Sequence, residues 1–346
     1  MVLGATGNVG SRLVELLADD PAVDEVIGAS RRQPPTLPVG VEWRQVDLAR
    51  EVPVDLLAGA DAVVHLAWLF QPTRRPETTW AANVEGSQRL FQAAAAAEVR
   101  VLVHASSVGA YSPRRDLRPV DESWPTHGIP TAAYSREKSY VERLLDVFEN
   151  RNPDVRVVRL RPAFIFRREA SVQQRRLFLG PFAPTKLVSR TGLPILPDPG
   201  GLQLQALHTD DAAEAYRLAL LRDVAGAFNI AAEPVLDMHM IGELLGARVL
   251  RVPAGLTRAA IAAAWAAHLV PAAPGLFDMV VKMPMLDASR ARAELGWRPT
   301  HDSVAAVETL LEGMRTAKGG PTPPLDPATS GPLRSHELAT GVGTRP

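Results

Sequence analysis

Short runs of consecutive apolar, often β-branched residues alternate along this chain with longer stretches in which apolar positions recur every three or four residues. The short runs fall at Glu25–Ala29, Ala62–Leu66, Val101–Ala105 and Val155–Leu160. Their length and composition suit strands buried on both faces of a parallel sheet. Between them Gly10–Ala18, Val84–Ala97 and Ala133–Glu149 carry helical spacing. Strand, helix, strand, repeated over the first 160 residues, predicts an α/β fold built on a doubly wound parallel sheet.

Past Arg161-Pro162 the pattern loosens. Arg167–Gly201 is rich in Arg, Pro and Gly and is expected to form loops and a short lobe. Order resumes with a run at Leu202–Leu207, a helix over Asp210–Leu221 and a strand at Ala227–Ile230. Helices are expected at Met238–Leu245, Leu256–Leu269 and Ser303–Arg315. This divides the chain into a nucleotide-binding unit (1–163 plus 202–232) and a smaller C-terminal substrate lobe (164–201 plus 233–316). Residues 317–346, dominated by Pro, Gly and Thr without apolar periodicity, are expected to be disordered. The most apolar stretch, Ala259–Val270, is interrupted by His268 and bounded by Arg258 and Pro271. It is about half the ~20 residues of a membrane span, so a packed helix is expected and membrane contact is not.

Composition narrows the chemistry. Of the 346 residues 46% are hydrophobic and 22% charged, with a formal net charge of zero, so no basic field exists to grip a nucleic-acid backbone. The chain has no cysteine, which removes disulfides, thiolate metal sites and thiol nucleophiles. No metal site is expected. With no secretory signal in view, a cytoplasmic protein with a small-molecule substrate is expected.

The candidate chemistry begins at once. Leu3 is followed by Gly4-Ala5-Thr6-Gly7-Asn8-Val9-Gly10, between a strand stub and a helix. Glycines at this spacing let backbone N–H groups and a helix N-terminus approach a pyrophosphate, as in the Rossmann dinucleotide turn. Only three residues precede Gly4, which leaves open a start upstream of this Met. About twenty residues beyond the turn, NAD binders place a carboxylate for the ribose 2′-hydroxyl. Here the second strand ends in Ser30-Arg31-Arg32. Guanidinium groups suit a 2′-phosphate, so NADP is favoured over NAD. Asp47-Leu48, after the third strand, is placed to meet the adenine amino group.

Tyr134-Ser-Arg-Glu-Lys138 sets a phenol and an ammonium four apart on one helix face. The lysine's charge is expected to lower the phenol pKa toward neutrality, so that Tyr134 exchanges a proton with a substrate oxygen. Ser106-Ser107 closes the strand Val101–Ala105, where a serine hydroxyl can hold that oxygen.

With these motifs the chain resembles the extended short-chain dehydrogenase/reductase family, the NAD-dependent epimerase/dehydratase group. The resemblance spans about residues 1–315. It rests on Gly4/Gly7/Gly10, His65-Leu66-Ala67-Trp68, Asn83-Val-Glu-Gly86, Ser107 with Tyr111, Asp121-Glu122, Tyr134/Lys138, Arg161-Pro162, His208-Thr-Asp210-Asp211 and Leu295-Gly-Trp297. It implies catalytic Ser107, Tyr134 and Lys138. The cofactor would touch Leu66, Ala67 and Pro162 and the ribose-binding Lys138, with Asn83 near that ribose or supporting the active-site helix. It also implies a homodimer through the helices of Asn83–Ala97 and Tyr134–Asn150. His65, Trp68 and His208 are read as packed side chains, Trp297 as a packing anchor and Asp210 as a helix N-cap. One departure matters. Val108-Gly109-Ala110 follows the serine where dehydratases of the group carry an acidic pair, which disfavours water loss.

Three functions follow. The first is an NAD(P)-dependent oxidoreductase acting on a carbonyl or secondary alcohol. The alternative is a nucleotide-sugar epimerase with bound NAD, for which Arg167, Arg168, Arg175, Arg176 or Arg190 would meet the diphosphate. The third, a nonenzymatic NADP-sensing regulator, fits poorly with an intact Tyr/Lys pair.

Overall fold

The computed structural model describes residues 1–183 and 195–344. The chain opens with strand β1 (Val2–Leu3), helix α1 (Asn8–Ala18) and strands β2 (Val26–Ser30), β3 (Val41–Gln45) and β4 (Ala62–His65). Helix α2 (Pro76–Trp80) runs through one π-turn at Ala81–Glu85 into α3 (Gly86–Ala96), ahead of β5 (Val101–Ala105). Helix α4 (Ala133–Arg151) and β6 (Arg156–Pro162) close the first half. Then come β7 (Phe164–Phe166), α5 (Ser171–Phe178), β8 (Ile195–Asp198), β9 (Gln203–Leu204), β10 (Ala206–His208), α6 (Thr209–Leu221) and β11 (Gly226–Ile230). The last third holds β12 (Leu236–Asp237), α7 (Met238–Leu245), β13 (Arg248–Arg251), α8 (Ala254–Ala266), α9 (Pro274–Lys282), α10 (Ser303–Thr316) and α11 (Ser335–Thr340).

Seven strands form one parallel sheet in the order β11-β6-β5-β4-β1-β2-β3. The chain reverses direction between β1 and β4, so a crevice opens above their C-terminal ends. That is where an open parallel sheet binds ligands. Apolar cores cover both faces. One joins α1 and α6 through Leu13, Leu17, Ala215 and Ala219; the other joins α3 and α4 through Leu90, Ala94, Val141 and Leu145. Trp297 anchors the first face. It is fully buried, and its indole N–H donates to the Asp211 carbonyl at 2.8 Å.

Two smaller expectations are corrected. The N-cap of α6 is His208, whose Nδ1 accepts from the Asp210 N–H at 3.3 Å, while Asp210 itself accepts from Arg12 at 2.9 Å. Helix α8, expected to be packed, buries none of its residues and rests on one side against α9 and Arg74. No helix among the described residues is long and apolar enough to cross a membrane.

The C-terminal segment departs furthest from expectation. Residues 317–344 do not trail away but run as turns and the short helix α11 back over the nucleotide-binding unit. Leu325 is 1% exposed, Glu337 makes a buried ion pair with Arg175 on α5, and the Gly343 carbonyl accepts from Thr73 N at 2.9 Å. Its order comes from scattered single contacts, which leave no periodic apolar signature to read.

Candidate active site

The glycine turn is built for close approach. Gly4 has φ of +83°, and a Cβ there would stand 2.7 Å from the Ala67 nitrogen. At Gly10 a Cβ would fall 2.2 Å from the Gly4 carbonyl oxygen, so any side chain would force α1 away from the turn. Gly7 caps α1 with no side-chain hydrogen bond, leaving the first N–H groups of the helix to serve a ligand.

Above this turn lies one cavity of about 400 Å³. Thr6, Gly7, Asn8, Val9 and Gly10 form its floor. Ser30, Arg31, Arg32, Asp47 and Leu48 border one end; Leu66, Ala67, Asn83, Ser107, Tyr134, Lys138 and Pro162 border the other. Every residue expected to bind cofactor or catalyse therefore meets this one space. A dinucleotide fits it by two observations. The glycine cradle has no room for a Cβ. Gln174 on the cavity wall donates Nε2 to the Ile165 carbonyl at 2.7 Å, while its Oε1 is buried without a partner among the described residues, an acceptor ready for a ligand N–H.

At the catalytic end Ser107 caps a short 3₁₀ turn, its Oγ accepting from the Gly109 N–H at 3.0 Å. Its hydroxyl also hydrogen-bonds the Tyr134 phenol. Gly109 has no side chain because the Tyr134 ring lies against it; a Cβ would come within 2.8 Å of the ring. Tyr134 stacks on Phe70 (centroids 4.6 Å apart) and meets Trp68 edge-on (5.9 Å).

The expected acidic phenol is not found. Burial pushes Tyr134 up to about 12, against the opposing hydrogen bond from Ser107. Lys138 follows the helix spacing, but its Nζ donates to the Ala105 carbonyl at 2.6 Å and sits 3.4 Å above the Trp68 ring. It faces the tyrosine only at 5.9 Å from the ring centre. Burial lowers the ammonium itself to about 7, with Glu137 and Glu142 opposing. Burial thus favours the neutral phenol over the phenolate at Tyr134.

Asn83 was expected near the ribose or as a support for the active-site helix, whereas the parts of Trp68 and Glu142 lay beyond the sequence reading. Asn83 is fully buried and grips Leu69 from both sides, accepting from its N–H (2.7 Å) and donating to its carbonyl (2.8 Å). This fixes the loop that carries Trp68 and Phe70, so Asn83 acts through that loop and through its bond to Glu137 at 2.7 Å. Trp68, read as mere packing, is a wall of the site. Glu142, one turn beyond Lys138 on the same face of α4, accepts from Ser106 Oγ (2.5 Å), Arg161 (2.9 and 3.0 Å) and Arg159 (3.1 Å). The spacing 134, 138, 142 was the signal for it. His65 behaves as expected of a packed residue, buried and bonded to Ser87 Oγ at 2.9 Å. Tyr111 is likewise structural, donating to Asn229 at 2.6 Å.

The arginines considered for a diphosphate are engaged elsewhere. Arg167 donates to Ser11 Oγ at 2.7 Å, Arg168 pairs with Glu312 at 3.1 Å and Arg175 with Glu337. Arg176 holds Thr329 and the Pro324 carbonyl, the latter at 2.6 Å. Arg190 lies outside the described residues.

Comparison with known proteins identifies the family and matches the fold. The sequence profile of the NAD dependent epimerase/dehydratase family matches residues 1–231. An uncharacterized protein of Mycobacterium tuberculosis is 26% identical over 357 residues, covering 100% of this chain and 90% of the relative. UDP-glucose 4-epimerase of Yersinia pestis is 28% identical over 264 residues (71% and 73% covered). Among solved structures, UDP-glucose 4-epimerase from Thermotoga maritima with UDP-glucose superposes with a TM-score of 0.68 at 19% identity, covering 91% of this chain and 98% of that one. The chain belongs to the NAD dependent epimerase/dehydratase family and is an enzyme of the short-chain dehydrogenase/reductase type.

Proposed function

We propose that this enzyme is an NADP(H)-linked oxidoreductase that interconverts a carbonyl compound and its alcohol, with Tyr134 as general acid and base. The observation that carries the reading is the convergence of Ser107, Tyr134 and Lys138 on the cavity floored by the glycine turn. A bound nicotinamide supplies or accepts the hydride. The chain's own residues handle the proton: Ser107 steadies the substrate oxygen, and Tyr134 delivers its phenolic proton to that oxygen as the carbonyl carbon is reduced. The upward push of burial on the Tyr134 phenol supports a part as proton donor to that oxygen. Arg31 and Arg32 at the cavity rim, with no carboxylate at Ser30, support a 2′-phosphate.

The test is NADPH consumption with a panel of ketones and aldehydes. Turnover with at least one is expected, and its loss in Tyr134→Phe by a factor of at least about 10². Cofactor binding without turnover of any carbonyl would overturn the reading. The likeness to two UDP-glucose 4-epimerases favours epimerisation with retained NAD as a second reading. NAD released on denaturing the purified protein, together with interconversion of UDP-glucose and UDP-galactose, would establish it.

A further inference from the structure

The two ends of the cavity differ sharply in chemistry. Its cations other than Lys138 are Arg31, Arg32 and Arg176. Arg31 and Arg32 follow β2, and the Arg176 guanidinium is held by Thr329 and the Pro324 carbonyl, in the segment that also bonds the glycine turn through Thr322, so its charge is drawn away from Tyr134. Around Tyr134 the wall includes Trp68, Phe70, Leu276 and Met279, with Phe178 behind Phe70. Phe70 bridges Tyr134 and Phe178, its ring 5.6 Å from that of Phe178. Met279 reaches the same place from α9, with its sulfur 3.1 Å from where a Gly109 Cβ would stand. No cation besides Lys138 borders this end among the described residues.

The apolar character continues outward. Immediately beyond Phe178, Leu179 is 41% exposed and Phe182 57% exposed. Gly180 between them lies against Pro271, where a Cβ would come within 2.8 Å of the ring. That contact sets the segment beside Leu269, itself 50% exposed, and the start of α9. An apolar rim thus leads to an apolar pocket that ends at a phenol. A nucleoside diphosphate would need cations at this end, because burying its phosphates unpaired is costly.

Resting on the hydride-transfer reading, we infer that the substrate is a lipophilic ketone or its secondary alcohol, its hydrocarbon part held between Phe70, Phe178, Leu276 and Met279. Phe70, stacked on Tyr134, turns aside to admit it.

The experiment is a calorimetric titration of the full chain loaded with NADP⁺, in which ketones bind but cannot be reduced. Straight-chain 2-alkanones from four to ten carbons are compared with UDP and UDP-glucose. Affinity is expected to rise about threefold to fourfold per methylene, with neither nucleotide competing. In Leu276→Asn the rise is expected to flatten while affinity for NADP⁺ stays as in the unaltered chain. A length-independent series, or displacement of the ketone by UDP, would overturn the inference. Measuring NADPH turnover on the same compounds separates the two claims: chain-length-dependent binding without reduction of any ketone defeats the oxidoreductase reading but leaves the ligand class standing, and reduction with no dependence on length does the reverse.

Discussion

The ammonium of Lys138 stands 3.4 Å above the indole ring of Trp68, not beside the hydroxyl of Tyr134. Cation–π attraction and the Ala105 carbonyl stabilise a charge that burial disfavours. A nearby ligand ribose or pyrophosphate would redistribute those contacts, so the helix spacing places the lysine and the occupant of the cavity decides its work.

That buried lysine makes stability depend on pH. Its folded pKa of about 7 lies below the ordinary 10.5. Below pH 7 both folded and unfolded chains carry the proton, and the cost of burying the charge is fully present. Between about 7 and 10.5 the unfolded chain binds the extra proton, so this group's contribution to stability rises with pH, by at most ~1.4 kcal/mol per unit. Lys138→Met abolishes that slope. Denaturant unfolding of both proteins from pH 6 to 10 is expected to show the variant's relative advantage shrinking steadily above 7.

Glu142 neutralises two buried guanidinium groups and accepts from Ser106, the neighbour of Ser107. Burial raises its carboxyl, but Arg161 and Arg159 outweigh that and hold it at about 2. Its stabilising contribution is complete above the usual carboxylate range and disappears as pH falls through about 2. Glu142→Ala leaves Arg159 and Arg161 buried with a partner missing and is expected to cost about 3–5 kcal/mol. Urea unfolding measures the loss. Stability within 1 kcal/mol of the unaltered chain would contradict this account.

The proposed preference for NADP makes cofactor choice depend on a rim of two arginines. In Arg31→Ala/Arg32→Ala the KM for NADPH is expected to rise about 10- to 100-fold, with the KM for NADH within about twofold of its starting value. Steady-state kinetics with both nucleotides decides. Parallel changes would mean that the pair serves the pyrophosphate or the fold.

The C-terminal strap touches the cofactor loop directly, since Thr322 Oγ1 donates to the Thr6 carbonyl at 2.7 Å and Pro324 lines the cavity. Thr322→Val removes one buried hydrogen bond and is expected to speed dinucleotide release about two- to tenfold. Stopped-flow displacement of NADPH, followed by its fluorescence, reads the rate. An unchanged rate would show that the strap does not restrain the ligand.

The parts of this enzyme that could be read from sequence are those set by local spacing. Strand–helix alternation, the Gly4–Gly10 turn and the Tyr134–Lys138 interval each operate within about one turn or one loop, so the chain displays them in order. Glu142 was legible by the same rule but lacked a visible partner, because Arg161 arrives on a different element, strand β6. Trp68 and Phe70 enter the site only because Asn83 clamps Leu69, a contact across 14 positions. The apolar pocket draws on α4, α5, α9 and the loop after β4, segments with no common pattern. The direction of the Tyr134 shift was missed because spacing shows that a lysine is near, not where its Nζ points.

The bond from Thr322 to Thr6 joins positions 316 residues apart. Synthesis therefore produces the glycine turn well before the residue that bonds it. Until Thr322 arrives, the Thr6 carbonyl lacks this buried partner. The same segment brings Pro324 to the cavity, so the shape of the nucleotide space is complete only when both partners of this contact are present.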